Sequence, residues 1–490
     1  MIYYQWFIER DDYLKLKKNV KKRILKNIFT ILILIFTLLA VFEILKLNIL
    51  PNKYLTVFLV GEAVLFLLGF LLYNLRKKFF VVLGILLYLI SIVGNIFGYY
   101  YLKQTNQYID KTFAKETYTV KTHYYLITGS TNTITDKSEL EKTTIIQYNK
   151  DSEGITPAME QLGDFQYQAL GYGDYTFYAF VSVEQDNGYF LLPSVEFDFL
   201  IGSSNELTAD MFKVLYEFDV EEEFEVKDDT PDAFNVYITG YDYTGKARDY
   251  NLIATVNLKT HKIVLTSVPR DYYINIPAYN AKDSFKALGV VNSDVPKDAL
   301  EELFDIKIDY TINVYTESLV KVVDTLGGVE FCSDYDFTTI HDTTLGSYDD
   351  KGEKVHVSKG CHIYDGLEIL AIARERMHVE GYERGRQANC RQILRNIIKK
   401  LASTSSIINY AKLLDSFDGL YTTDINKHMI TEFIKEFIDH PDFEIIEQGV
   451  DGRDGHAKNH WNTGDIYTLD PYMDTVEAAS KKIKEVLNEK

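Results

Sequence analysis

The sequence predicts an α/β protein with three N-terminal transmembrane helices, a small α/β accessory domain, and a C-terminal α/β domain whose central mixed sheet is flanked by helices. Three observations predict it: three long apolar runs before about Tyr101, a reversal of charge at the same place, and alternating strand-like and helix-like segments from Phe234 onward. At 490 residues the chain is long enough for about three units. The expected boundaries are a basic cytoplasmic segment (1–27), three membrane spans (28–101), an extracellular accessory domain (102–226), an acidic linker (227–233) and a main outer domain (234–490).

The apolar runs are Ile28–Leu45, Tyr54–Leu75 and Phe79–Tyr101. Each approaches or exceeds the roughly 20 residues that cross a bilayer core. Three such runs this close together have nothing soluble to bury them. Arg10, Lys15, Lys17, Lys18, Lys21, Lys22, Arg23 and Lys26 precede the first, and Arg76, Lys77 and Lys78 lie between the second and third, against only Lys46 and Lys53 in the first connection. The positive-inside rule then places the N-terminus in the cytoplasm and the chain after about Tyr101 outside, as a multi-pass cell-membrane protein. The long basic lead and the lack of a small-residue cleavage site argue against a cleaved signal peptide. Glu43 is expected to reach the interface and Glu62 to face another helix.

Residues 1–100 hold 13 Lys/Arg against 5 Asp/Glu, and the rest holds 39 against 66. A body that acidic repels the nucleic-acid backbone, which excludes DNA as a default partner. Three cysteines occur, and Cys332 and Cys361 are the expected disulfide, since they flank the insertion Ser333–Gly360 and an extracellular setting permits the bond. Cys390 is then a free thiol.

In the accessory region, strands are expected at Tyr118–Thr128, Thr143–Tyr148, Phe177–Val183 and Val195–Ile201, with a helix at Ile155–Leu170. Val220–Pro231, with Glu221, Glu222, Glu223, Glu225, Asp228 and Asp229, reads as a solvated acidic hinge. Strands follow at Phe234–Thr239, Tyr250–Val256, Lys262–Val268, Tyr310–Val314, Gly328–Cys332 and Phe443–Gln448. Helices are expected at Pro296–Phe304, Glu317–Leu326, Gly366–Met377, Gln387–Ala402 and Met473–Leu487.

Arg374, Arg376, Arg384, Arg386 and Arg391 put five arginines within eighteen residues of an acidic domain. Arginine presents a planar, permanently charged fork that grips phosphate oxygens in pairs. Surface ion pairs to the many carboxylates are the plainer alternative. Gly385 is read as opening a helix, which sets Arg386 beside N–H groups that favour anions. Asp242 follows the first strand of this domain, Asp249 precedes the second, and Arg270 and Asp271 follow the third. Singly, each aspartate is a turn or cap residue; together with the arginines they suit a divalent cation between carboxylates and a pyrophosphate.

Phe234–Asp242, Thr266–Asp271, Val323–Val329 and the Ala373–Gln392 arginine segment resemble, in order, the motifs of the LytR-CpsA-Psr family. The three spans and the extra outer domain most resemble its capsule-associated branch in Gram-positive bacteria. The resemblance implies an α/β fold that binds polyprenyl pyrophosphate lipid in a hydrophobic groove and ligates a wall polymer to peptidoglycan. By position, Asp242 and Asp249 match aspartates implied in Mg²⁺ binding, with Mn²⁺ as the alternate ion. Arg270, Arg374, Arg376 and Arg386 match arginines that hold the pyrophosphate, with Arg384 competing for the place of Arg386. Asp271 matches an aspartate whose role is catalytic or an orienting one on Arg270. Gly327 and Gly328 look like a tight turn.

The sequence also departs from the family. Ala247-Arg248-Asp249 stands where Arg-Ser-Asp is usual, so Arg248 is a displaced candidate for the pyrophosphate. Ser284 falls near a usual lysine, leaving Lys282 or Lys286 as substitutes, and Cys390 replaces a glutamine.

The implied activity is an extracytoplasmic, Mg-dependent phosphotransfer from a polyprenyl-pyrophosphate-linked polysaccharide, of capsular or teichoic-acid type, to peptidoglycan, with capsule assembly proteins as further partners. Apolar residues of Leu319–Leu326 and Ile369–Ile372 are candidates to line the lipid groove, against ordinary core packing. The alternative is a non-catalytic membrane sensor that binds lipid-linked precursor and regulates polymer assembly.

Overall fold

The computed structural model describes residues 2–113, 117–140, 144–148, 155–170, 188–194, 197, 208–225, 231–241, 248–277, 281–290, 294–345, 352–401, 421–458 and 465–489. The chain divides into two compact units.

The first unit contains the helices α1 (Ile2–Leu47), α2 (Asn52–Tyr73) and α3 (Lys78–Phe113). Asn27–Leu47, Asn52–Tyr73 and Lys78–Phe113 are long and apolar enough to cross a membrane. Leu38, Phe42, Val57, Val93 and Phe97 lie exposed on them, as lipid-facing side chains do. α2 and α3 touch backbone to backbone at Gly84, where an added Cβ would come 2.7 Å from Tyr73 N and 2.8 Å from Gly69 O; only glycine allows that approach. Glu62 accepts a hydrogen bond from Ser91 Oγ at 2.6 Å, so it does face another helix. Glu43 does not reach for the interface: it is buried and accepts from Asn106 Nδ2 at 2.7 Å, because helix α3 runs past the end of α1 and supplies a polar partner there.

In the second unit a five-stranded sheet of order β3-β2-β4-β1-β5 is built from β1 (Thr117–Gly129), β2 (Thr144–Tyr148), β3 (Gln166–Leu170), β4 (Phe190–Pro193) and β5 (Phe212–Glu225). Two expectations are corrected here. The helix from Ile155 stops at Leu162 (α4), because Gly163 takes φ +133° and the chain then pairs with β2 in parallel from Gln166. The acidic run from Val220 to Glu225 is strand, not hinge: β5 pairs with β1 to its end, Thr117 opposite Glu225. Its period of two explains why acids are tolerated, since Phe218 and Val220 are buried while Glu217, Asp219, Glu221 and Glu223 are exposed. The expected strand Phe177–Val183, and Val195–Ile201 apart from Phe197, lie outside the described residues, as do 226–230.

The main sheet contains β6 (Ala233–Tyr241), β7 (Arg248–Asn257) and β8 (Lys262–Val268), an antiparallel meander. A short hairpin, β9 (Tyr273–Ile276) with β10 (Ala281–Ser284), follows. Next come helix α5 (Asp294–Phe304), strand β11 (Tyr310–Val314) parallel to β6, and helix α6 (Thr316–Thr325). Gly327 and Gly328 take positive φ in the turn before β12 (Val329–Ser333). The insertion holds β13 (Phe337–Asp342), β14 (Lys354–Val357) and β15 (Gly360–Tyr364). Then come α7 (Gly366–Arg374), α8 (Glu383–Leu401), β16 (Tyr421–Thr423), α9 (Lys427–Asp439), β17 (Glu444–Gly449), the hairpin β18 (Gly452–Lys458) and β19 (Asp465–Pro471), and α10 (Met473–Asn488).

The sheet order is β16-β11-β6-β7-β8-β17, with parallel β6/β11 and β8/β17 pairs, so it is mixed. One core joins the two sheets, since Ile127, Phe190 and Leu192 of the first share a cluster with Tyr237, Ile253 and Val268 of the second, together with Ile274 of β9 and Ile483 of α10. A separate core gathers α6, α7, α8 and the insertion around Val323, Phe331, Val357, Ile369, Ile372 and Ile393. Val322, Val323 and Ile369–Ile372 are therefore packed, with Leu319 and Leu326 at the margin.

Helix α9 groups with the membrane helices: Lys427 pairs with Asp110, which also holds Lys46 at 2.9 Å, and Asp439 pairs with Lys53. Elsewhere, Gln392, Asn396 and Lys400, four apart along α8, donate to the carbonyls of Cys332, Glu330 and Gly328, two apart along the start of β12. Gln392 also accepts from Cys332 N at 2.6 Å.

Candidate active site

Asp249 sits one residue inside β7, and Arg270 and Asp271 follow β8 in the turn that ends the meander. The antiparallel pairing of β7 with β8, Asn251 opposite Val268, brings these strand ends together. Arg270 Nη1 bonds Asp249 Oδ1. Asp271, buried, lies 3.6 Å from Arg270 Nε and 3.2 Å from Lys286 Nζ. Of the two lysines offered as substitutes at Ser284, Lys286 is therefore the one that joins the cluster, while Lys282 is exposed.

The other side comes from the arginine segment. α7 ends at Arg374, earlier than Met377, because Glu375 takes extended backbone (φ −69°, ψ 128°). α8 begins at Glu383, earlier than Gln387, after Gly381 and Tyr382 turn at φ +78° and +52°. Arg386 N bonds Tyr382 O, and Arg384 N and Tyr382 N bond Gly381 O and Val379 O, so the free N–H groups expected beside Arg386 are largely used by the turn itself. Arg376 Nη2 lies 4.0 Å from Asp249 Oδ2. Arg386, 5% exposed, donates from Nη2 to Asp249 O at 2.8 Å and grips Glu383 with Nε and Nη2.

Of the candidate pair Arg384 and Arg386, only Arg386 enters this cluster. Arg384 bonds Asp451 and the carbonyl of Gly452. Two residues along a helix turn about 200°, which sends the neighbours to opposite sides. Arg374 donates to the carbonyls of Thr344 and Leu345 in the insertion, at 3.3 Å each. Arg248 is fully buried, donates to Asn313 Oδ1 at 3.2 Å and stacks on the Tyr241 ring. Asp242 and Ala247 lie outside the described residues.

Glu383 was not among the expected site residues. It is bonded by Arg386 and lies 3.5 Å from Arg376 Nε, so it and Asp249 are the two carboxylates among three arginines. The spacing Glu383 to Arg386, i to i+3 on a helix, is the signal that finds it. Arg391 bonds Ser267 Oγ, which donates to Gln387 Oε1 at 3.2 Å.

Charge balance explains the titration of the cluster. Burial alone would raise the Asp249 carboxyl, but Arg270, Arg386 and Arg376 outweigh it and hold it below the usual range. Glu383 is likewise held low against its burial, by Arg386 first. Arg376 is the exception among the cations: burial, then Arg270 and Arg386, push it down. Arg270, Arg376, Arg386 and Lys286 against Asp249, Glu383 and Asp271 leave a surplus of one positive charge. Arg270 Nε and Arg376 Nε face Asp271 and Glu383 at 3.6 and 3.5 Å, longer than a good hydrogen bond, so these pairs are held by charge more than by hydrogen bonding. Burial pushes the Cys390 thiol up to about 11, so it stays protonated and packs as a small apolar group. Cys332 and Cys361 stand directly opposite in the β12/β15 register and are disulfide-bonded.

Residues 201–484 match the LytR_cpsA_psr family. The chain belongs to the LytR-CpsA-Psr family. Among relatives, it is 33% identical over 203 residues to the polyisoprenyl-teichoic acid–peptidoglycan teichoic acid transferase TagU of Bacillus licheniformis, covering 40% of this chain and 61% of that protein. It is 32% identical over 205 residues to TagU of Bacillus subtilis strain 168, covering 41% and 63%. The match thus spans about three fifths of the length of these LytR-CpsA-Psr relatives. Solved structures similar to it include TagT bound to LIIa-WTA (TM-score 0.44, 24% identity, 54% of this chain and 94% of that one). B. subtilis TagV is another (TM-score 0.45, 21% identity, 54% and 100%).

Proposed function

We propose that this LytR-CpsA-Psr protein transfers a glycopolymer of capsular or teichoic-acid type from a polyprenyl pyrophosphate carrier to peptidoglycan, at the outer face of the cell membrane. The observation that carries the proposal is the convergence of Arg270, Arg376 and Arg386 on Asp249 and Glu383, in a cluster where cationic side chains outnumber carboxylates. The names of the TagU relatives support the same reaction class.

In this reading a hydroxyl oxygen of the wall attacks the phosphorus that carries the polymer. The bond from that phosphorus to the polyprenyl phosphate breaks, the hydroxyl proton is released, and a phosphodiester joins polymer and wall. No nucleotide is consumed, because the pyrophosphate bond supplies the driving force. Arg270 and Arg376 stabilise the negative charge that builds on the leaving phosphate, where fixed donors in a partly dry site act most strongly. Arg386, clamped by Glu383, holds the Asp249 carbonyl and fixes the end of β7. Asp271, between Arg270 and Lys286, orients both.

Both oxygens of Asp249 face guanidiniums, Oδ1 bonded to Arg270 and Oδ2 4.0 Å from Arg376, so a divalent cation would take a place on this carboxylate that the arginines now hold. Mg²⁺ or Mn²⁺, held by Asp249 with Asp242, would neutralise pyrophosphate charge when bound. The N-terminus is cytoplasmic and the domains after α3 are extracellular in this proposal, from the basic flanks of the spans. Capsule assembly proteins are proposed partners.

The full chain in nanodiscs, given polyprenyl pyrophosphate oligosaccharide, Mg²⁺ and peptidoglycan fragments, is expected to form the phosphodiester. Arg270→Ala is expected to slow transfer by about 10²- to 10³-fold. Lipid binding without turnover by the parent would replace the transferase with a sensor.

A further inference from the structure

Glu375 stands between Arg374 and Arg376 and is fully buried. Its Oε1 accepts from Met377 N at 2.7 Å and His378 N at 2.9 Å, and its Oε2 accepts from Ile340 N in β13. A buried carboxylate held by three backbone donors has little freedom to turn. It fixes the chain just where α7 ends, and the two neighbouring arginines part there. Arg374 runs to the carbonyls of Thr344 and Leu345 beyond β13, whereas Arg376 runs to Asp249 and Glu383. The insertion that carries β13 is tied at its base by Cys332–Cys361 and fastened to α8 by Gln392.

We propose that Glu375 is a positioning residue: by tying the turn after α7 to strand β13, it aims Arg376 at the anion site and makes the 333–360 insertion a brace for that site. This rests on the reading of the Arg270–Arg376–Arg386 cluster as the pyrophosphate site. It gives the insertion a task that packing alone does not require, since β14 and β13 already bury Val355, Val357 and Phe337 in the adjoining core.

The test uses the full chain in nanodiscs and inorganic pyrophosphate as the probe, with binding by calorimetry and polymer transfer measured in parallel. Glu375→Gln presents an amide donor to one of the backbone N–H groups, and Ile340→Pro deletes the β13 donor while leaving the Glu375 side chain in place; the second stands in if the first does not fold. The expected result is folded protein whose pyrophosphate Kd rises at least tenfold and whose kcat falls more than KM changes. In the Arg376→Ala background the same substitution should add less than twofold, because its effect passes through Arg376. Losses that multiply in the double variant, or unchanged pyrophosphate binding in both single variants, overturn the proposal while leaving the site reading intact. If the parent itself binds no pyrophosphate, the site reading falls and takes this proposal with it.

Discussion

Both units of this chain hold buried and half-buried carboxylates, and they satisfy them differently. Within the apolar runs Glu43 meets the amide of Asn106 and Glu62 the hydroxyl of Ser91, both neutral partners, whereas Asp110, further along α3, pairs with Lys46 and Lys427. In the second unit Asp249, Asp271 and Glu383 meet Arg270, Lys286 and Arg386. A neutral amide or hydroxyl satisfies one acceptor and leaves no field behind. Four cations, Arg270, Arg376, Arg386 and Lys286, against these three carboxylates leave a field that a further anion completes, so this cluster has the character of a site and the Glu43 and Glu62 pairs have the character of packing.

The sharpest way to break that contrast is to remove one carboxylate from each kind. Glu383→Ala leaves the buried Arg386 guanidinium without its two-point partner, and a loss of about 3 to 5 kcal/mol is expected. Chemical unfolding of the full chain in detergent measures it; a loss below about 1 kcal/mol would make Glu383 an ordinary surface acid.

Next in size is the acid response. Asp249 and Glu383 have folded values depressed below the usual carboxylate range, so their contribution is complete above about pH 5 and is lost as pH falls below about 4 toward the folded values. Stability followed from pH 7 to 3 should therefore drop at the acid end, and Glu383→Gln should flatten that drop. An equally steep curve in the variant would assign the acid response to other groups.

The smallest effect is expected in the membrane. Glu43→Gln keeps an acceptor for Asn106, so bundle stability in detergent should change by under about 1 kcal/mol, the usual scale of such interhelical bonds. A large loss would mean that Glu43 acts as a charge, with a cationic partner in the working protein.

Much of the architecture was legible because the signals were long. Three apolar runs declare the spans, and the alternation from Phe234 declares the sheet. Shorter decisions were not legible. Gly163 divides Ile155–Leu170 into helix and strand, and a single residue of turn outweighs the apolar period that runs through it. The acids of β5 look like linker until the partner strand is known, because their alternation with Phe218 and Val220 is local and the pairing with β1 is not. Helix α9 is not among the expected elements, although Met429, Phe433 and Phe437 repeat every four residues.

At the site, the arginines stood out because they are rare in an acidic domain, whereas Glu375 and Glu383 were hidden by the same composition. Choosing Arg386 over Arg384 needed the phase of α8, which is set by its start at Glu383. Arg248 and Arg374 were named by position in a motif, and their described bonds lead instead to Asn313 and to the insertion.

The row Gln392, Asn396 and Lys400 bears on a different hazard. A helix rises about 6 Å over four residues and a strand advances about 6.6 Å over two, so one side of α8 keeps step with the carbonyls of Cys332, Glu330 and Gly328. β12 pairs with β15 on one side only, and a bare edge of that kind can template foreign chains. Here side chains occupy the places a neighbouring strand would take, so among the described residues β12 offers no open edge to a foreign strand.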